Sequence, residues 1–405
     1  MKVAAIISEY NPFHSGHEYQ IKRLRETLGE DTAVVAIMSG NYTQRGEVAV
    51  VDKTVRARAA VECGVNLVLE LPFPFSMSSA EFFAKSGVRI AEEIGVVDYL
   101  VFGSENGDVS TLSDIAAVTK SEEYTLTLES LSGDTEYRDY GYPELCQLAL
   151  SRVYGKDIPR DFFTPNNILA IEYIRAISSL GSSITPITVR REGAGYLDII
   201  NPMAQFQSAS AIREELAENN ISALNYVPGN ARKIYLEAID EGKMPSDVTL
   251  LDYSIISSFR LNSPMADADI HDAKGGLYNR LCEMSAEANS ISSLTAMTET
   301  KKYTKARIRR AIWNTFFGVT SSDVRALPSY TQVLAMDSIG RLVLKRIKKT
   351  SDFPVITKPS SYKEFGDEVI RQKELSNKAD SIYGLTLKKP NSARFSLTFT
   401  PYVKD

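Results

Sequence analysis

Apolar and polar positions over the first 190 residues follow two alternating rhythms. Apolar-rich stretches of strand length cover 3–7, 33–38, 65–71, 97–102 and 184–189, the first two of them continuous. Those two have no polar face, the pattern of strands covered on both sides. Between these runs, apolar residues recur at helical spacing. Ile21, Leu24 and Leu28 define a helix that Gly29 ends, and Asp52 caps a second that runs to Cys63-Gly64. Ser78 or Ser79 caps a third that runs to Gly95, and 166–179 forms another, opened by Thr164-Pro165. This alternation predicts an α/β fold with a doubly wound, Rossmann-like parallel sheet and right-handed crossovers. Residues 106–164 read as a helical insertion. A Ser-rich turn at Ser208 enters one more helix, and the Pro228-Gly229 turn puts a domain boundary near Asn225. Beyond it helical spacing dominates, with helices expected over 250–261, 276–288 and 304–317, and a short, very basic stretch over 341–349. The expected division is a sheet domain over 1–225 and a mainly α-helical C-terminal domain over 226–405.

The junction of the first strand and the first helix carries the most specific chemistry. The chain has three histidines, and two of them, His14 and His17, stand here as H-x-G-H around Gly16. Free backbone N–H groups at a helix start and the positive end of its dipole favour phosphate. Gly16 lets the backbone approach a ligand, and two imidazoles supply further donors. In an open α/β sheet, ligands bind at the carboxyl ends of strands, where this turn, Ser39-Gly40 and Gly103 all fall. The motif resembles that of the H-x-G-H nucleotidyltransferases, which activate substrates by attack on the α-phosphate of ATP. A second element, Ser208-Ala209-Ser210-Ala211-Ile212-Arg213, offers hydroxyl, N–H and guanidinium donors to one phosphate group. Taken alone, it is also a common way to cap a helix. Such groups neutralise a triphosphate and hold a nucleophile in line, so no protein nucleophile is needed.

Composition adds one asymmetry. The net charge of −5 hides a segment, 300–350, with 12 Lys+Arg and 2 Asp+Glu, hence +10, against −15 for the rest. A local basic patch on an acidic chain fits a polyanion-binding surface and equally a solvated face. On the helix over 304–317, Ile308, Ala311 and Ile312 share one face, with Arg310 opposite and Arg307 and Arg309 at its flanks. No apolar run approaches the roughly 20 residues of a membrane span, and Met1-Lys2 lead straight into the first strand. Cys63, Cys146 and Cys282 are scattered and odd in number. They suggest reduced thiols in a cytoplasmic protein without a cysteine metal site.

Several residues admit two readings. Lys53 and Arg56, at a helix start near the sheet edge, are phosphate contacts or a solvated basic face. Asn166 and Asn167 are nucleotide contacts or helix caps, and Gly103 is a close-approach or a turn glycine. His271, with acidic neighbours but no second histidine or cysteine nearby, reads as structural or surface. Glu70, inside an apolar strand, must be paired or face the site edge.

Longer phrases narrow the reading. They are Ser8-Glu9-Tyr10-Asn11-Pro12-Phe13-His14-Ser15-Gly16-His17, Met38-Ser39-Gly40-Asn41-Tyr42-Thr43-Gln44-Arg45-Gly46-Glu47, Val68-Leu69-Glu70-Leu71-Pro72-Phe73, Phe102-Gly103-Ser104-Glu105, Pro165-Asn166-Asn167-Ile168-Leu169, Gly193-Ala194-Gly195-Tyr196 and Tyr303-Thr304-Lys305-Ala306-Arg307-Ile308-Arg309-Arg310. Together they span nearly the whole chain and resemble the bacterial tRNA(Met) cytidine acetate ligases. Ser15, where Asn is expected more often, and Leu197, where His is expected, depart from the pattern.

The resemblance implies ATP binding by Ile7, Ser8, Glu9, Tyr10, Asn11, Pro12, Phe13, His14, Ser15, Gly16, His17, Glu18, Tyr19 and Gln20, and by Gly103, Asn166, Asn167, Arg191 and Glu192. His14, His17, Ser208 and Arg213 are the expected catalytic set, and Mg2+ is expected with the nucleotide. Acetate becomes acetyl-adenylate and passes to N4 of the wobble cytidine of elongator tRNA(Met). Lys301, Lys302, Lys305, Arg307, Arg309, Arg310, Lys345 and Arg346 are the expected tRNA contacts. Two other readings compete: an H-x-G-H nucleotidyltransferase with a small-molecule substrate, which has no need of the basic segment, and a non-catalytic RNA-binding relative, against which the intact His14, Gly16, His17 and Arg213 argue.

Overall fold

The computed structural model describes residues 1–405 except 138–139, 156–157, 159–161, 192–205 and 262–268. Five parallel strands form the heart of its sheet: β1 (Val3–Ser8), β2 (Ala33–Ser39), β3 (Leu67–Leu71), β4 (Tyr99–Ser104) and β5 (Thr185–Arg190), in spatial order β5-β4-β1-β2-β3. Strands β1 and β2 pair from Val3 opposite Ala33 to Ser8 opposite Met38. The chain winds outward from β1 to β3, then crosses back to lay β4 on the other side of β1. The switch point of the topology therefore lies beside β1, and the H-x-G-H turn leaves its carboxyl end there.

Alternate residues of the strands feed two cores. Val3, Ala5, Ile7, Val35 and Ile37 face one, shared with α3 (Ala80–Glu93) and α7 (Pro165–Ser179). Ala4, Ile6, Val34, Ala36 and Met38 face the other, shared with α1 (Ser15–Leu28) and α2 (Lys53–Glu62). With a period of two along the strand and both faces buried, β1 and β2 carry no polar face in their runs. The insertion over 106–164 is helical as expected, with α4 (Val109–Val118), α5 (Glu122–Gly133) and α6 (Tyr142–Tyr154) preceding α7. Helix α8 (Ala209–Ala217) starts at the Ser-rich turn.

Several elements beyond the division expected near Asn225 pack on the sheet. Helix α9 (Gly229–Asp240) packs its Ile234, Tyr235 and Ala238 into the same core as α2. Strand β6 (Thr331–Met336) adds antiparallel to β3, with Val68 opposite Ala335. Two short strands, β7 (Val355–Ile356) and β8 (Tyr402–Val403), pair with β6 in turn. The separate helical core is smaller than expected. It is built by α10 (Asp252–Leu261), α11 (Leu277–Met284), α12 (Ile291–Thr298) and α13 (Lys305–Phe317), and closed over Tyr42, Phe73 and Met77 from loops at the carboxyl end of the sheet. After α14 (Ser321–Arg325) and β6, α15 (Ser338–Thr350) returns to the α3 side of the sheet through Val343, Leu344 and Ile347.

Helix α16 (Asp367–Tyr383) then seals a buried ion cluster against α2 and β3. Lys53 Nζ lies 2.5 Å from Glu70 and 2.6 Å from Asp380, and both carboxylates sit on buried side chains. Glu70 has the partner its apolar strand demanded, and that partner is Lys53 rather than solvent or ligand. Among the described residues, no helix is long and apolar enough to cross a membrane.

Candidate active site

Backbone polarity at the start of α1 is satisfied by the two histidines themselves. His14 is the N-cap, and its Nδ1 accepts the Gly16 N–H at 3.0 Å. His17 Nδ1 reaches back and accepts the His14 N–H at 3.2 Å, which closes a reciprocal capping box. Both Nδ1 atoms being acceptors, each neutral ring carries its proton on Nε2, and both Nε2–H groups are donors. The rings lie tilted at 3.9 Å between centroids, and His17 rests edge-on against Tyr10 at 4.8 Å. Burial, then Arg191 and Arg213, push the His14 pKa down to about 3. Burial, then His14 and Arg191, hold His17 well below the ordinary imidazole value. Each cause here disfavours positive charge, and an arriving polyphosphate opposes it.

Gly16 has a further reason to be glycine. A Cβ there would lie 2.8 Å from His14 Cε1, so the missing side chain makes room for the imidazole as well as for a ligand.

The rest of the motif is largely scaffold. Ile7 belongs to the core, and Tyr10, Pro12 and Phe13 are buried. The Phe13 N–H donates to Tyr235 Oη at 2.9 Å, and Ser15 Oγ donates to the Tyr226 carbonyl at 3.0 Å. Asn11 Oδ1 accepts the Val50 N–H at 2.8 Å. Glu9 accepts the Gln44 N–H at 2.8 Å; burial pushes its carboxyl pKa up, against the pull of that bond. Glu18 is exposed, Gln20 is half-buried, and the Tyr19 ring lies tilted against Phe206. The supports from Tyr226 and Tyr235 stand more than 200 residues downstream, and no local pattern announces them.

Of the second element, Arg213 contacts this turn, and Ser208 heads the helix that carries it. Ser208 caps α8 by accepting the Ala211 N–H at 3.1 Å. One turn on, Arg213 Nη1 donates to the Asn11 carbonyl at 2.8 Å, and Nη2 reaches Glu47 at 3.1 Å. Arg191 follows β5, donates to Asn166 Oδ1 at 3.3 Å and lies over Gly103, where a Cβ would meet its Cγ at 3.3 Å. Asn166 and Asn167 differ in kind. The Asn166 amide faces Glu105 and Arg191. Asn167 is buried, its oxygen accepts the Glu105 and Asn106 N–H groups, and its nitrogen donates to the Phe162 carbonyl. It holds the loop after β4. Glu192 and Leu197 fall outside the described residues, as does the 193–196 phrase.

Arg56 is buried and donates to the carbonyls of Glu9, Ser39, Gly40 and Val51, so it ties together loops at the strand ends. With Lys53 inside the ion cluster, neither residue is a solvated face or a free phosphate donor. His271 is buried edge-on to Phe82, as its structural reading required.

The basic segment is not one patch. Lys301, Lys302 and Lys305 are exposed before and at the start of α13. Lys302 caps the Gly275 carbonyl and Lys305 lies 3.7 Å from Glu299. Arg307 donates to the Asp272 and Lys274 carbonyls. Arg309 pairs with Glu47. Arg310, expected opposite the apolar face, is buried and bonded to Asp272 at 2.6 Å. Lys345 and Arg346 lie on α15, where Arg346 donates to the Met1 carbonyl at 3.2 Å. That is the amino end of β1, the far end of the sheet from His14.

Among the described residues, no group of three or more His, Cys, Asp and Glu gathers to hold a metal ion.

Residues 1–396 match the family model described as HIGH Nucleotidyl Transferase. The tRNA(Met) cytidine acetate ligase of Caldanaerobacter subterraneus is 36% identical, with all of both chains covered. That of Acetivibrio thermocellus is 35% identical over 99% of each chain. The crystal structure of Thermotoga maritima TmcAL bound with alpha-thio ATP superposes with a TM-score of 0.89 at 30% identity, over 100% of this chain and 99% of that one. The apo form of the same protein gives 0.90. A shared fold, a family model across nearly the whole chain and full-length identity converge, and the chain belongs to the tRNA(Met) cytidine acetate ligases within the HIGH nucleotidyltransferase family.

Proposed function

We propose that the protein activates acetate with ATP and transfers the acetyl group to N4 of the wobble cytidine of elongator tRNA(Met). The observation that carries the chemistry is the reciprocal cap. It spends both Nδ1 atoms on backbone N–H groups, leaving two Nε2–H donors side by side at the switch point of the sheet, with Arg191 and Arg213 adjacent.

Mg2+ would come with ATP rather than be held by protein side chains, and would neutralise part of the triphosphate charge. His14 and His17 donate to the phosphate chain, α1 adds its positive end, and Arg213 and Arg191 neutralise the remaining charge. An acetate oxygen attacks the α-phosphorus, the bond from that phosphorus to the bridging oxygen breaks, and pyrophosphate leaves with the electron pair. Cytosine N4 is a poor nucleophile because its lone pair is delocalised, which is why the acyl group must be activated first. N4 then attacks the acetyl carbon, AMP leaves and N4 loses a proton. Lys301, Lys302 and Lys305, on the same end of the molecule as the turn, would meet tRNA phosphates. Lys345 and Arg346, at the other end of the sheet, would meet only a tRNA that wraps around it.

The test is mass spectrometry of tRNA(Met) nucleosides after incubation with protein, ATP and acetate, each omitted in turn. Acetylcytidine that requires all of them is the expected result. Its absence with folded protein and competent tRNA would overturn the acceptor, and release of pyrophosphate with a small acceptor would favour the small-molecule reading.

A further inference from the structure

Glu47 joins the two ends of the proposed reaction. One carboxylate oxygen accepts from Arg213 Nη2 at 3.1 Å, and the other accepts from Arg309 Nη1. Arg213 belongs to the nucleotide side; Arg309 stands on α13, behind the lysines proposed to meet RNA. The loop that carries Glu47 is clamped to both. The Val50 N–H donates to Asn11 in the motif, and Trp313 Nε1 donates to the Gly46 carbonyl at 3.1 Å. Gly46 has φ +73°, and a Cβ there would lie 2.6 Å from the Arg310 nitrogen, so this tip fits only as glycine against α13. The clamp leaves the three charged side chains partly open to solvent: Arg213 at 23%, Glu47 at 28% and Arg309 at 37%, against 8% for Arg310.

We infer that Glu47 is a positioning residue that makes triphosphate and RNA compete, through its two arginines, for the same carboxylate. This rests on the ligase reading above. A half-buried carboxylate tolerates losing one guanidinium while it keeps the other, and losing both leaves it unpaired at high cost. A triphosphate that draws Arg213 away therefore fastens Arg309 to Glu47 and holds RNA off. When pyrophosphate leaves, Arg213 returns and Arg309 is released to an RNA phosphate. The adenylate forms first and the RNA docks second. Because coupling between two binding events is reciprocal, RNA raises the KM for ATP by the same factor that ATP weakens RNA binding, where that KM reports affinity.

The experiment measures tRNA(Met) affinity by fluorescence anisotropy with no nucleotide, with AMP and with α,β-methylene ATP. Wild type should bind tRNA at least about fivefold more weakly with the triphosphate analogue than with AMP. In Glu47→Gln, which keeps the shape but not the charge, that difference should vanish. In Arg309→Gln, which leaves the Arg213–Glu47 pair in place, it should vanish as well. Wild-type affinity indifferent to the analogue would overturn the inference. So would an undiminished antagonism in either folded variant, which would mean simple repulsion between two polyanions. Acetylcytidine formation by the same wild-type preparation keeps the two readings apart: if it proceeds while the antagonism is absent, only the coupling falls.

Discussion

His14 does two jobs with one ring, and a substitution can separate them. Asparagine also caps helices well, so His14→Asn should keep α1 and the thermal midpoint while removing the Nε2–H donor. Acetate-dependent ATP–pyrophosphate exchange should then fall by about 100- to 1,000-fold. An undiminished rate would mean that the imidazole serves only as a cap. Gly16→Ala puts a methyl group 2.8 Å from His14 Cε1, and the displaced ring should lower the same exchange rate at least about tenfold with the fold intact by circular dichroism. The imidazole also sets an acid limb of stability. Its pKa is about 3 in the folded chain against an ordinary 6.5, so between those values the unfolded chain alone takes the proton. Its stabilisation is full above pH 6.5 and is lost as pH falls towards 3, at no more than about 1.4 kcal/mol per pH unit. Urea midpoints taken from neutral to mildly acid pH should therefore decline less steeply in His14→Asn. A saturating ATP analogue, whose phosphates raise the imidazole pKa, should flatten the wild-type slope.

Among the elements, the ion cluster under α16 makes opposite predictions for two lysines. Lys53 holds two buried carboxylates, and Lys53→Met should cost about 3–5 kcal/mol in chemical denaturation because both are left unpaired. Lys373, on α16 and fully buried, has no hydrogen-bond partner for its Nζ among the described residues, and burial, then Lys53, push its pKa down to about 8. Lys373→Met removes that desolvated charge and should stabilise by about 1–3 kcal/mol; a loss of stability would show that its charge is needed against Glu70 and Asp380. The same elements show where sequence patterns reach. Strands β1 and β2 were legible because burial on both faces makes each a continuous apolar run, and β3 to β5 because apolar-rich stretches of strand length alternate with helices of regular spacing. The H-x-G-H turn was legible because its two histidines are also its cap, a local matter. Arg310 was not: its partner Asp272 stands 38 residues away, and helical periodicity places a side chain on a face without saying what covers that face. Glu47 lay inside a recognised phrase, yet its role depends on arginines 166 and 262 residues downstream.

At the scale of the whole molecule, the +10 segment is divided between opposite ends of the sheet. Charge reversal at Lys301 and Lys302 should weaken tRNA binding across sequences and reduce its salt slope by about one for each phosphate no longer neutralised. Reversal at Lys345 and Arg346 should leave both unchanged; equal effects from the two pairs would mean that the RNA wraps around the sheet. Strand β6 has a different bearing, on how the chain is made. It covers the outer edge of β3, and it leaves the ribosome some 260 residues later than the strand it covers. Through most of synthesis β3 is therefore an apolar edge with open backbone N–H and C=O groups, a template for another nascent chain. A product that stops short of Thr331 keeps its nucleotide turn but never closes that edge, so truncation in this protein is a hazard of self-association before it is a loss of RNA binding.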